Sequence, residues 1–284
     1  MNSNIEMDSQ NAANNREMLQ SAISQNRPLL IRNALSSDIL NWQAEDLVAL
    51  IESEKEVLSP LRSTPFDTAQ IDFQSITQRP DSFCNIIKSC VNPTDPHSEI
   101  YVPGLKLHLL PKLKEVSSEP DVLAQIKKDF AEVFVGRNTQ CVGHFHPYSE
   151  AMLTQISGEK HVRLYSPEQF KSLAPFPTLS KYFNRSLINF YQLNRDAFPN
   201  NQGVDLSVYP QVGQLESIDL IVRPGDVLFI PVHWLHVTQG AGWNMSIAYF
   251  WSSSLKNWKL NYPASLSAIN APMYMMRRIK QAVL

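Results

Sequence analysis

The sequence predicts a mainly β protein, a barrel or sandwich with helices flanking it at both ends. Three observations predict this. From about Phe134 to Trp251 the chain falls into short apolar runs divided by Gly, Pro, Asn and Asp clusters. No long amphipathic helix separates those runs, which argues against a parallel α/β sheet. Helical spacing is confined to the N-terminal part and to the segment after Trp251.

At the N-terminus, residues 1–15 are rich in Asn, Ser and Gln and read as a disordered tail. Met18, Leu19, Ala22 and Ile23 then fit a helix from Asn15 to Gln25, and Leu29-Leu30-Ile31 is a short run of strand type. Ser36, Ser37 and Asp38 can cap a second helix, whose apolar positions fall between Glu45 and Glu54. Turns are expected near Pro60, Pro65 and Pro80. The clearest strands are Met152–Ile156, His161–Tyr165, Ile218–Val222, Val227–Ile230 and Met245–Trp251. Between them, Ser172 to Gln214 is polar and poorly periodic, as functional loops or small insertions are. Leu266, Ile269, Met273, Met276, Ile279 and Val283 predict a terminal helix that Pro272 should kink or restart. The domain layout is thus a tail over 1–15, one β domain with its helical flank over 16–255, and a helical segment over 256–284.

A chain of 284 residues is ample for one large buried core. The net charge of −2 gives no overall pull toward nucleic acid or anionic membrane, so neither is an expected partner. The pairs Lys127-Lys128 and Arg277-Arg278 read as solvated helix faces. Cys84, Cys90 and Cys141 are odd in number and lack metal-type spacing, which suits reduced buried thiols. With no secretory-type leader and no apolar run of bilayer length, a cytoplasmic protein is expected. There is no Gly-rich phosphate loop and no Gly-x-Ser-x-Gly, so nucleotide folds and serine nucleophiles have no support.

Two histidine clusters carry the chemistry. In His144-Phe145-His146-Pro147-Tyr148-Ser149-Glu150, strand geometry points His144 and His146 to one side and Phe145 to the other. Converging imidazoles are a natural start for a metal site. Extended chain would carry the Glu150 head roughly 20 Å from His144, so only a bend, for which Pro147 is suited, returns it. The second cluster runs from the Pro224-Gly225-Asp226 turn through an apolar strand to His233, Trp234 and His236. His233 and His236 cannot share a face of a regular strand, so one ligand is expected from that pair, with Trp234 and Trp243 as a dry shell.

In their order and separation these clusters resemble the cupin-like branch of the jumonji-C proteins, including the asparaginyl hydroxylases of hypoxia-inducible factor and their bacterial homologues. The resemblance is carried by His144-x-His146 with Pro147-Tyr148, by Gln155-Ile156-Ser157-Gly158-Glu159-Lys160, and by Pro224-Gly225-Asp226 through Pro231 and Trp234 to His236. It implies a double-stranded β-helix, the jelly-roll or cupin barrel, that binds Fe(II) and 2-oxoglutarate. His144, His146 and His236 would hold the metal, Lys160 would pair with the far carboxylate of 2-oxoglutarate, and Tyr101 would hydrogen-bond the same group. It also implies that the C-terminal helices could form a homodimer.

The departures are informative. The family pattern is His-x-Asp or His-x-Glu, and here His146 stands where the carboxylate belongs. Glu150 falls near a position commonly Asn, one extra residue precedes Gln155, and Tyr249-Phe250-Trp251 replaces Asn-Phe-Trp. Among wider cupins, His144-x-His146 with Glu150 and Gly158 is similar to the first germin motif, whose metal takes three histidines and one glutamate. Three histidines leave three sites of a six-coordinate ion open, enough for a chelating co-substrate and O₂; adding Glu150 would leave two. Three functions follow: a 2-oxoglutarate and Fe(II) oxygenase acting on a protein side chain or small molecule; a tris-histidine cupin of other chemistry, with another divalent metal; or a non-catalytic binding protein on the same scaffold.

Overall fold

The computed structural model describes residues 5–9, 11–62, 78–97, 99–188, 190, 207–258 and 262–283. Its eleven strands form one hydrogen-bonded system in the order β1-β2-β10-β7-β11-β6-β5-β3-β4, with β8 joined to β11 and β9 joined to β8. This is the mainly β, jelly-roll architecture expected of a cupin.

The strand that makes the jelly roll is β11 (Leu235–Ser252). Along one edge it pairs with β6 (Phe130–His144). Along the other, residues 235–240 pair with β8 (Lys160–Tyr165) and residues 245–252 with β7 (Ser149–Ser157). One long strand therefore belongs to both faces of the roll. Beyond these lie β9 (Ile218–Val222) next to β8, and β10 (Val227–Ile230) between β7 and β2 (Leu29–Arg32).

Period-two alternation sorts the side chains into two cores. Met152 and Ile156 of β7, Val227 and Phe229 of β10, and Met245, Ile247, Tyr249 and Trp251 of β11 face outward. They pack under α1 (Ala12–Gln25), α2 (Ala44–Ile51) and α3 (Phe83–Val91). The intervening residues Ala151, Leu153, Leu228, Ile230, Ala248 and Phe250 face the interior, with Val162 and Leu164 of β8 opposite. A third cluster, around Phe145, Phe170, Leu235 and Leu266, lies between the roll and the start of α5 (Ala264–Val283).

Several expectations are corrected by packing. Within the tail expected over residues 1–15, Glu6–Asp8 forms β1 in parallel with β2, and Asn11 caps α1 through Asn14 N–H at 3.0 Å. The second helix starts not at Ser36–Asp38 but after Gln43, whose N–H donates to the Asp46 carboxylate at 2.8 Å. Pro60 and Pro80 are not turns; they face each other in β3 (Leu58–Arg62) and the edge strand β4 (Gln78–Ser82), where a missing N–H is tolerated. Pro65 lies outside the described residues. Lys127 and Lys128 precede β6 rather than lying on a helix, and α5 runs on through Pro272 as one element. Sequence reasoning passed over β5 (Ile100–Lys106), which flanks β6 and carries Tyr101. Among the described residues no helix is long and apolar enough to cross a membrane.

Candidate metal centre

His144 ends β6 and stands opposite His236, the second residue of β11. His146 lies just beyond β6 on the bend made by Pro147, yet the alternation survives: Phe145 turns away into the third cluster and His146 returns to the interior. Ligand atoms of His144, His146 and His236 lie within 4.8 Å of one another. A bound ion at about 2.1 Å from each would need them roughly 3.0–3.4 Å apart, a closure available to side-chain rotation.

The hydrogen bonds around the rings fit metal ligation. His144 Nδ1 lies 2.9 Å from the Val142 carbonyl and His236 Nδ1 lies 3.2 Å from that of Trp234. With Nδ1–H donating to those carbonyls, each Nε2 presents its lone pair to the cavity. His146 Nδ1 is buried without a hydrogen-bond partner, a polar atom that an ion could satisfy. Burial, with the Arg185 charge nearby, pushes His144 down to about 4, against the Val142 hydrogen bond. Burial and the neighbouring imidazoles hold His146 and His236 well below the ordinary histidine range. All three are neutral at pH 7, the form that binds metal.

A cavity opens beside the triad, and Lys160 and Tyr101 line it together with His144, His146 and His236. The site residues inferred from the sequence thus meet in one cavity, with the exception of Glu150. Glu150 is buried at the far side of β7, where its carboxylate accepts from Val232 N–H and from the Ser253 hydroxyl, both at 2.7 Å. It is absent from the ligand cluster. The reason is parity: Ala151 and Leu153 of β7 face the cavity, so Glu150 cannot.

Lys160, the first residue of β8, is 3% exposed. Burial lowers its pKa to about 8, opposed by the Cys141 thiol, so it is still largely charged at pH 7. His233 is not in the triad. It has a positive φ of 68° and turns its Nε2 to the Ser267 hydroxyl of α5 at 3.0 Å. Neither Trp234 nor Trp243 lines the cavity: Trp234 packs in the interior cluster and its indole donates to the Asn26 carbonyl, while Trp243 lies on the helical side and donates to that of Trp42. The apolar wall is Phe134, Leu153, Ile230 and Phe250.

Cys141 and Thr238 also line the cavity and escaped the sequence reading. Thr238 could have been found by counting two along the strand from His236. Cys141 could not, because it lies three residues from His144. A register shift between His236 and Thr238, where β11 advances two residues and β6 three, turns Cys141 inward opposite Thr238. The segment after β8 covers the metal end: Arg185 bridges to His144, and Asn184 and Phe145 exchange hydrogen bonds of 2.9 and 2.8 Å.

The fold and the triad together define a metal cupin of the jelly-roll class. The Cupin-like domain family matches residues 15–257, and the chain belongs to that family. Curated relatives include lysine-specific demethylase 8 of Xenopus tropicalis, 29% identical over 148 residues (50% of this chain, 30% of that protein). Lysine-specific demethylase JMJ30 of Arabidopsis thaliana is 27% identical over 114 residues (40% and 24%). The tRNA wybutosine-synthesizing protein 5 of Danio rerio is 29% identical over 100 residues (35% and 26%). The matches thus span less than a third of the length of each of these relatives.

Proposed function

We propose that this chain is an Fe(II)- and 2-oxoglutarate-dependent oxygenase that hydroxylates a protein side chain or a small molecule. The observation that carries the reading is Lys160. Among the described residues this buried ammonium has no carboxylate partner, and it shares a cavity with three neutral, convergent imidazoles. A buried cation without a counter-ion invites an anionic ligand. A dicarboxylate reaching from the triad to Lys160 would satisfy both ends of the cavity.

The roles follow from position. His144, His146 and His236 would hold the ion, and the carbonyls of Val142 and Trp234 orient two of those rings. Lys160 would donate to the far carboxylate of 2-oxoglutarate, beside Tyr101. Phe134, Leu153, Ile230 and Phe250 would exclude water from the reacting end. When bound, Fe(II) supplies activation of O₂ coupled to decarboxylation of 2-oxoglutarate. The relatives' names differ in substrate, so we carry over the oxygenase class and no substrate.

One observation favours a second reading, a tris-histidine cupin of different chemistry: His146 stands where a carboxylate would complete the oxygenase set, and Glu150 does not supply one. Calorimetric titration of 2-oxoglutarate into the anaerobic, Fe(II)-loaded protein separates the two. Micromolar binding that Lys160→Ala abolishes supports the oxygenase. A metal-loaded protein that ignores 2-oxoglutarate leaves the second reading. We also propose a homodimer through α5, supported by the exposed Ile269 and Met275, with light scattering as its check.

A further inference from the structure

A buried ammonium serves as an anchor only if it is held in one orientation. Lys160 donates to the Ser246 hydroxyl at 2.5 Å. A hydroxyl has one hydrogen to give, and that of Ser246 goes to Gln155 Oε1 at 2.7 Å. The Gln155 amide nitrogen shares its two hydrogens among the carbonyls of Ser157 and Gly158, each at 2.8 Å, and Asn244 Oδ1 at 3.2 Å. Asn244 Nδ2 ends the series on the Glu159 carbonyl at 2.8 Å. Reversing the Gln155 amide would set its oxygen against three acceptors, so the direction of the series is determined.

The sheet places this series without exposing it. Ser246 and Gln155 face each other across β11 and β7, and both have no exposed surface. The register shifts between Met245 and Ser246, a local irregularity of the kind that re-aims side chains beside functional sites. Two glycines allow it to close. A Cβ at Gly240 would meet Asn244 Cγ at 2.6 Å, and one at Gly158, where φ is +69°, would meet the Trp243 carbonyl at 2.3 Å. The Gln155-to-Lys160 stretch is therefore a turn strapped by its own first side chain.

We propose that Ser246 and Gln155 are positioning residues for dicarboxylate binding, holding Lys160 as an oriented donor with two N–H groups left for one terminal carboxylate of the ligand. The count is chemical: an ammonium has three hydrogens, Ser246 takes one, and no other protein acceptor for Lys160 occurs among the described residues. This inference rests on the reading of Lys160 as the carboxylate anchor. The titratable groups that share the cavity with it are Tyr101 from β5, Cys141 and His144 from β6, His146, and His236 from β11. On β9, Val222 pairs with Lys160, and the next residue, Arg223, is engaged by Glu159 at 3.0 Å.

The test uses the full chain, anaerobic and Fe(II)-loaded, as wild type, Ser246→Ala and the hydroxyl-retaining Ser246→Thr. In Ser246→Ala the Kd for 2-oxoglutarate should rise about tenfold while Fe(II) affinity holds, and Ser246→Thr should recover most of the loss. The side-chain signal of Lys160 in protein labelled with ¹³C-lysine, followed without 2-oxoglutarate, should titrate about one pH unit lower in Ser246→Ala. A general packing defect would move neither quantity selectively. Gln155→Met, close in shape but without the acceptor, should move both the same way and stands in if Ser246→Ala does not fold. Wild-type affinity together with an unmoved Lys160 titration in these variants overturns the proposal. If the wild type itself ignores 2-oxoglutarate, the oxygenase reading falls. The role in 2-oxoglutarate binding falls with it, and the Lys160 titration then decides only what Ser246 does for Lys160: a shift in Ser246→Ala upholds Ser246 as the group that holds the ammonium, and no shift ends that too.

Discussion

The two ends of the cavity are built differently. At the Lys160 end, every supporting residue sits in a strand or in the tight turn between β7 and β8, and the polar atoms are tied in one directed series. At the metal end, only His144 and His236 belong to strands, while His146 stands on a bend outside the sheet. That bend is propped from outside: His146 O accepts from His233 N–H at 3.1 Å, His233 leans on Ser267, and the Tyr148 hydroxyl donates to the Ser267 carbonyl at 2.9 Å. A strand fixes a side chain through its ladder, whereas a bend needs tertiary contacts to do the same work. The anchor end should therefore tolerate perturbation that loosens the metal end.

The largest expected effect is on the triad itself. His236→Ala should lower Fe(II) affinity at least a hundredfold, read by metal content after desalting, because it leaves two imidazoles from one short segment. Lys160 should keep its titration in that variant, since its supports lie elsewhere; a simultaneous change there would break the distinction between the ends.

Acid comes next. Burial pushes His233 down to about 4, with the Pro147 carbonyl opposing, and His144 likewise lies near 4. Folded, both resist protonation; unfolded, both accept a proton near pH 6.5. The unfolded chain thus binds more protons between those values, so stability is complete above about 6.5 and falls as pH drops toward 4. His233 alone would contribute about 3 kcal/mol across that window. The Tm of the metal-free protein should drop accordingly, and His233→Gln should flatten the profile.

Glu150→Gln sharpens the comparison from the opposite side. Its carboxylate accepts two hydrogen bonds and lies outside the histidine cluster, so the variant should lose about 1–2 kcal/mol of stability with metal content unchanged. Loss of metal would return Glu150 to the ligand set. The smallest effect is expected for His146→Asp, which restores the family carboxylate: Fe(II) affinity should rise about tenfold, if the shorter side chain reaches the ion as His146 does. Calorimetry checks it, and a fall would mean that the third imidazole is the better fit to this cavity.

Both histidine clusters were legible because a local rule, alternation in a strand, places His144 and His146 on one side and separates His233 from His236. The strands Ile218–Val222 and Val227–Ile230 were legible to the residue, since turn residues bound each apolar run. Less was readable where the partner decides. The helical side took Trp243, which the sequence assigned to the site, because its indole finds the Trp42 carbonyl. Cys141 enters the cavity only through a register shift that depends on β11. Glu150, six residues from His144, could have been a ligand or a prop on spacing alone.

What residues alone settle here is chemistry and its order along the chain: imidazoles, a lysine and the turns that start each strand, which together prescribe a metal cupin. Whether a given side chain meets the ion, the anchor or a neighbouring backbone depends on register between strands far apart in sequence. A one-residue slip exchanges the two faces of a strand, and that slip is decided by pairing and packing rather than by any local property.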